Sequence, residues 1–273
     1  MESFFTFLEK RVGDCSSMLC VGLDPHVSDL PAPTAEGALR FCLDLVQRTA
    51  PYAAAFKPNA AFFEQFGAPG WTALAQVVDA IREQSQRLGS MIPVILDAKR
   101  GDIASTAEAY ARSAFQALAV HAITLSPYLG RDSVEPFLAD PEKGAFLLCK
   151  TSNPGAGDLQ DVPVRETGEP LYIAVARLAR SWNTRNNVGL VVGATQPEAM
   201  AAVREAAPEL WFLAPGVGAQ GGDLEAALKA GLRPDGKGLL FPVSRAISRA
   251  ADPGPAAARL RDEIVSIRYR LGR

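Results

Sequence analysis

The chain has 273 residues, with 28 Lys and Arg against 30 Asp and Glu, for a formal net charge of -2. Its 48% hydrophobic content supports a large core and excludes a disordered chain. The balanced charge offers no sign of the basic patch or stripe that nucleic-acid binding needs, so an anionic ligand must be held by local groups.

The opening segment "MESFFTFLEKRVGD" is acidic and amphipathic. It lacks the basic start, apolar stretch and small-residue cleavage site of a secretory signal. No apolar run approaches the roughly 20 residues needed to cross a bilayer, so no membrane association is expected and the cytoplasm is the expected compartment. The four cysteines, Cys15, Cys20, Cys42 and Cys149, form no Cys-x-x-Cys pair and lie at no zinc spacing from a histidine. They read as reduced, buried thiols. The two histidines, His26 and His121, come with no G-x-S-x-G elbow. Proton transfer therefore falls to carboxylates and lysines, and His121 reads as satisfying a hydrogen bond near a strand start.

Short apolar runs recur along the chain at 17–25, 53–59, 92–99, 121–127, 145–155, 188–195, 210–218 and 238–245. Continuous apolar runs suit strands buried on both faces. Between them lie segments of helical period. "EGALRFCLDLVQRTA" puts Leu39, Cys42, Leu43 and Val46 on one face, and "GWTALAQVVDAIREQSQRL" does the same with Leu74, Val77, Val78 and Ile81. A closing helix carries Leu260, Ile264 and Ile267. Eight strands alternating with helices predict an α/β fold, a single-domain (β/α)8 TIM barrel over 1–273. A doubly wound open sheet is the weaker reading, because no Gly-x-Gly-x-x-Gly opens a helix after the first strand. The loop-rich stretches 25–37 and 153–170 both follow strand ends, the face on which barrels carry function.

Read in order, the strand ends present Asp24, Lys57, Asp97 with Lys99, Ser126, Thr151 with Ser152, Gly193 to Thr195, Pro215 with Gly216, and Ser244 with Arg245. In an extended strand Asp97 and Lys99 point to the same side, and Lys57 from the neighbouring strand reaches toward them. An alternating array of cations and anions results, which reads as either a catalytic set or a structural salt-bridge network. The glycine-rich "APGVGAQGGD" can turn backbone N–H groups toward an anion. Arg245 then arrives from the next strand, where barrel enzymes frequently bind phosphate, with the planar fork that suits it.

The segment "DAKRGDIAST" resembles the D-x-K-x-x-D-I-x-x-T signature of the orotidine 5'-phosphate decarboxylase family. "GLDP", "FKPN", "TSNPGA" and "APGVGAQGGD" are similar to the family's other landmarks, in the same order, and the long loops resemble its longer bacterial branch. The resemblance implies decarboxylation of orotidine 5'-phosphate to UMP, the last step of de novo pyrimidine synthesis. It implies a homodimer with shared active sites and no cofactor or metal. By the resemblance, Lys99 donates the proton to C6 and Asp97 stands beside the substrate carboxylate. Lys57 and Asp102 complete the array, with Asp102, Ile103 and Thr106 contributed across the dimer interface. Asp24 holds the ribose hydroxyls, Ser152 contacts the pyrimidine, and Gln220 and Arg245 close on the 5'-phosphate. Pro215 and Ser244, at the same strand ends, join the substrate-binding set. Compact members of the family carry glycine where this chain has Ser244. Arg100 is left without a functional role and is expected to be structural.

Two other readings compete. Related sugar-phosphate barrels, of the 3-keto-L-gulonate 6-phosphate decarboxylase and hexulose-phosphate synthase types, use magnesium and an acidic residue at the second strand end. Lys57 opposes metal binding there. A catalytically silent phosphate-binding barrel is opposed by the complete set of Lys57, Asp97, Lys99 and Asp102.

Overall fold

The computed structural model describes residues 2–217 and 222–272. Helix α1 (Phe4–Cys15) precedes β1 (Leu19–Leu23), which α2 (Ala35–Thr49) follows. Next come β2 (Ala55–Pro58), the short α3 (Ala61–Glu64) and the long α4 (Ala68–Leu88). β3 (Ile95–Arg100) leads to α5 (Ala104–Arg112), and β4 (Ala122–Leu125) to α6 (Arg131–Leu138). β5 (Gly144–Lys150) is followed by α7 (Gly157–Gln160) and α8 (Leu171–Trp182), and β6 (Val188–Val192) by α9 (Pro197–Ala206). β7 (Phe212–Leu213), α10 (Leu224–Gly231), β8 (Leu239–Val243), α11 (Arg245–Ser248) and α12 (Pro253–Arg270) complete the chain.

The eight strands run in the order β2-β1-β8-β7-β6-β5-β4-β3, and every pair is parallel. Parallel bridges Phe56–Val94 and Asn59–Asp97 bring β2 back to β3, so the expected barrel is what forms. β1, β2, β4 and β6 are buried along their whole length, as their unbroken apolar runs require.

The floor of the barrel is sealed by α1, which no strand pattern announces. Ser3 caps it through its side chain, and the Phe4 and Phe5 rings are buried beneath the strands. They meet Phe146 edge-on at centroid distances of 6.2 and 5.5 Å. Glycine makes the room: a Cβ at Gly144 would stand 2.3 Å from the Phe4 ring, and one at Gly189 2.8 Å from Phe5. Each buried ring contributes roughly 1.5–3 kcal/mol.

Helical faces follow the sequence with one rotation. In α4 Leu74, Val77, Val78 and Ile81 are all buried, and in α12 so are Ile264 and Ile267, with Leu260 partly covered. In α2 the buried arc runs through Ala38, Cys42, Leu45, Val46 and Thr49. Leu45 replaces Leu43, which is only half-buried, because α2 must pack against α4 and α12 as well as the strand beneath it. Every strand is shorter than its apolar run: β5 ends at Lys150, and β7 keeps only two ladder residues. The four cysteines are free thiols, three of them buried.

Candidate active site

The carboxyl ends of the strands surround a cavity of about 390 Å³, a size ordinary for small-molecule sites. Its charged wall is built where β2 meets β3. The Ala60 N–H donates to the Asp97 carbonyl at 3.1 Å, which sets the two strand ends side by side. The Lys57 Nζ then donates to Asp97 Oδ2 at 2.5 Å, and the Lys99 Nζ donates to Asp97 Oδ1 at 2.5 Å. One carboxylate is thus shared by two ammonium groups. Lys57 and Asp97 are buried, whereas the Lys99 side chain is half exposed to the cavity. Burial works against the charge on Lys57, but the Asp97 and Asp24 carboxylates outweigh it and hold the ammonium above the usual lysine range. Burial likewise opposes ionisation of Asp97, and Lys57 and Lys99 outweigh it, holding the carboxyl well below the usual range. Lys57 and Asp97 are therefore both charged at neutral pH.

Lys99 and Asp97 reach this arrangement by a route other than the extended alternation expected from sequence. Lys99 has φ +48°, a left-handed conformation that costs a residue with a Cβ roughly 1–2 kcal/mol. The β3–β4 register shifts here: Leu96 faces Ile123 and Arg100 faces Leu125, so residues 97–99 stand opposite Thr124 alone. The correction has a physical cause, a bulge that turns the lysine back over the cavity. Thr124 is the residue that sequence reasoning misses, because the strand end itself points to Ser126. The available signal is a lone hydroxyl inside the apolar run "AITL".

Next around the rim, at the ends of β1, β7 and β8, Asp24, Pro215, Ser244 and Arg245 line the same cavity. Asp24 Oδ1 and Ser244 Oγ are buried without a hydrogen-bond partner among the described residues, and buried polar atoms of that kind call for a ligand or water. Gly22 is required by this packing, since a Cβ there would meet Ser244 Cβ at 2.9 Å. Arg245 is exposed at the cavity mouth, at the start of α11. Among the described residues it has no acidic partner. Gly216, in the loop after β7, has φ +116°, a glycine-compatible turn. Gln220 lies outside the described residues. His26 and Phe62 form a further wall, ring edge against ring face at 4.4 Å, which no sequence pattern announces.

A family model described as "Orotidine 5'-phosphate decarboxylase / HUMPS family" matches residues 17–260. The chain belongs to this family. It is 51% identical over 273 residues to the orotidine 5'-phosphate decarboxylase of Roseiflexus castenholzii, a match covering 96% of this chain and 97% of that protein. Identity to the Thermomicrobium roseum orotidine 5'-phosphate decarboxylase is 48%, covering 97% of this chain and 96% of the relative. The solved structure of Leishmania donovani OMP decarboxylase superposes with a TM-score of 0.88 at 54% identity, covering 98% of this chain and 99% of that one. These end-to-end matches place the chain with the longer members of the family.

In this orotidine 5'-phosphate decarboxylase family member, several expected site residues stand away from the cavity of their own subunit. Asp102 does not reach the Lys57–Asp97–Lys99 cluster; its carboxylate accepts the Ile103 N–H at 2.8 Å. Ile103 is 53% exposed and Thr106 lies exposed on α5. Ser152 is half-buried just beyond β5 and is not part of the cavity wall. It packs against Gly193, where a Cβ would come within 3.3 Å of its own. The loop that carries Ser152 is pinned at its base. Lys150 Nζ donates to Asp161 Oδ1 at 2.5 Å, and the Thr151 N–H donates to Gln160 Oε1 at 2.9 Å. Arg100 is structural, as expected: it pairs with Glu64 of α3 and lies over the Tyr110 ring at 5.0 Å, tying the β3 turn to its neighbours.

Proposed function

We propose that this chain decarboxylates orotidine 5'-phosphate to UMP without a cofactor, as one barrel domain spanning 1–273, in the cytoplasm and as a homodimer. The observation that carries this reading is the shared carboxylate: Asp97 held at 2.5 Å by both Lys57 and Lys99 on one wall of a cavity whose lining also includes Arg245.

The reaction breaks the bond between C6 and the substrate carboxylate. Carbon dioxide leaves and the electron pair stays on C6, where no adjacent group can delocalise it. A fixed ammonium at that position lowers the energy of the developing charge, and preorganised groups of this kind supply the largest share of many enzymes' rate. Lys99 is the side chain of the cluster most open to the cavity, so it is assigned both the stabilisation and the proton delivered to C6. Lys57 and Asp97 keep the cluster charged and oriented. Asp24 is assigned to the ribose hydroxyls and Arg245, with Ser244, Pro215 and Gln220, to the phosphate end. Binding energy gathered on the unreacting phosphate can then organise the reacting end.

Beyond the β3 turn Ile103 and Thr106 stand exposed and Asp102 is half-buried. The proposal assigns them to the neighbouring subunit's cavity, and Ser152 to the pyrimidine edge. If so, mixing Lys99→Ala subunits with Asp102→Ala subunits restores activity in the mixed dimers. No recovery above the two parents would remove the shared site.

The direct test follows the absorbance of orotidine 5'-phosphate as it is converted, with and without EDTA. Turnover unaffected by EDTA supports the assignment. Turnover that EDTA abolishes removes the metal-free mechanism, and absence of turnover favours the sugar-phosphate branch or a binding protein.

A further inference from the structure

We propose that Thr124, at the heart of β4, is a positioning residue that holds the Lys99 ammonium in register with the reacting carbon. The inference rests on the decarboxylase reading above and adds a residue to it.

The geometry begins with what a bulge takes away. Between Leu96 and Arg100 the β3 backbone has three residues facing one on β4, so its N–H groups there lose the carbonyl partners of a regular ladder. The Thr124 hydroxyl replaces them. Its Oγ1 accepts from the Ala98 N–H at 3.0 Å and from the Lys99 N–H at 3.0 Å. It lies 3.1 Å from Asp97 Oδ1 and donates its proton to it. A hydroxyl has one proton and two lone pairs, and here all three are committed to the residues that form the charged wall. Thr124 is itself buried, 1% exposed, so water cannot take over these bonds.

The consequence is directional. Lys99 sits at φ +48°, where an ordinary residue returns to extended backbone unless its surroundings prevent it. The two N–H bonds to Thr124 are what hold the chain in this conformation. The bond to Asp97 fixes the carboxylate oxygen that also receives the Lys99 ammonium. One hydroxyl therefore sets both the backbone from which the lysine departs and the acceptor at which it arrives. The ground-state binding groups Asp24 and Arg245 make no hydrogen bond to Thr124 among the described residues, so losing the hydroxyl should slow the chemical step while leaving ligand affinity in place.

The test compares Thr124→Val, which keeps the shape and removes the hydroxyl, with Thr124→Ser, which keeps the hydroxyl. Steady-state kinetics are read well below the melting temperature, and UMP affinity is measured by calorimetry. For Thr124→Val the expected result is a fall in kcat of about a hundredfold, with UMP affinity within threefold of wild type and kcat largely restored in Thr124→Ser. Unchanged kcat in Thr124→Val would overturn the proposal. So would kcat and UMP affinity falling together, which marks general damage, or Thr124→Ser as slow as Thr124→Val. If Thr124→Val does not fold, Thr124→Cys decides: a drop in kcat of about tenfold or more with UMP affinity kept supports the role, and wild-type kcat ends it. Wild-type protein without turnover would refute the decarboxylase reading itself, whereas turnover in wild type and in Thr124→Val alike refutes only the positioning role.

Discussion

Both ends of the barrel bury positive charge, and they do it in opposite ways. At the floor, Arg11 donates to the carbonyls of Ala50 and Ala53. Arg204 donates to the carbonyls of Ala207, Pro208, Leu210, Gly231 and Gly238, with its guanidinium 3.7 Å from the Phe212 ring centre. Backbone carbonyls take up these cations. At the rim, Lys57 and Lys99 share a single carboxylate. Asp24 Oδ1 and Ser244 Oγ stay without partners among the described residues, and Arg245 projects at the cavity mouth. The two floor arginines are satisfied by carbonyls of their own chain; the rim leaves Asp24, Ser244 and Arg245 for something else. A saturated network contributes stability, and an unsaturated one costs some stability and retains the capacity to bind. Barrels as a class divide their two faces this way.

The contrast breaks if rim substitutions cost folding or floor substitutions cost catalysis. The largest effect is expected for Lys99→Ala: loss of about four orders of magnitude or more in kcat, with UMP still bound and the melting temperature little changed. Retained turnover would mean that another group supplies the proton.

Arg204→Met is the mirror experiment. It strands the carbonyls that the guanidinium satisfies, and should lower unfolding free energy by about 3–5 kcal/mol. Urea midpoints measure this, and kcat at low temperature should not move. A loss of kcat in the folded variant would show that the floor is coupled to the site.

Arg245→Ala should lower kcat/KM by about two to three orders of magnitude without any contact to C6, and leave the urea midpoint where it was. Kinetics near wild type would remove the phosphate assignment.

The smallest effect is a pH dependence of stability that belongs to the floor. His121 is held down to about 4, first by its burial and then by Lys143 and Arg82. Its Nδ1 accepts the Val94 N–H at 3.0 Å, the strand-start hydrogen bond expected from sequence, and only an unprotonated ring can accept it. A folded-state value below the free value means that stability is complete above pH 6.5 and is lost as pH falls toward 4, by about 3 kcal/mol in all. Asp97 is also depressed, but its contribution is lost only below the free carboxyl value of 3.8, so the two windows separate. Lys57 is raised, and its contribution is complete below the free lysine value of 10.5 and lost only as pH rises above it. His121→Asn should flatten the unfolding free energy between about pH 4 and 6.5. A slope that survives the substitution would place the titrating group elsewhere.

Much of the rim is legible in the order of residues alone. Apolar runs at regular intervals predict the eight strands because a strand buried on both faces has no polar positions to offer. Lys57, Asp97 and Lys99 stand out because charge at the end of such a run has to be paired or used. The floor is not legible in the same way. Phe4, Phe5, Arg11 and Arg204 sit in helices where any amphipathic pattern would place them, and the carbonyls of Ala50, Ala53, Gly231 and Gly238 that the arginines reach are 27 to 42 residues away in sequence.

Within the site, the division falls inside one segment. "ILDAKRGD" by itself determined which side chains carry charge and that they follow a buried strand. Only the tertiary structure decided how they meet. Strand periodicity would have set Asp97 and Lys99 by simple alternation, whereas the neighbouring strand forces a bulge and Lys99 into left-handed backbone. The displaced N–H groups there donate to the hydroxyl of Thr124, 25 residues further along the chain than Lys99. Composition and period are local properties and can be read along a chain. The partner that satisfies a displaced N–H is chosen by strand pairing, and pairing exists only once the barrel has closed.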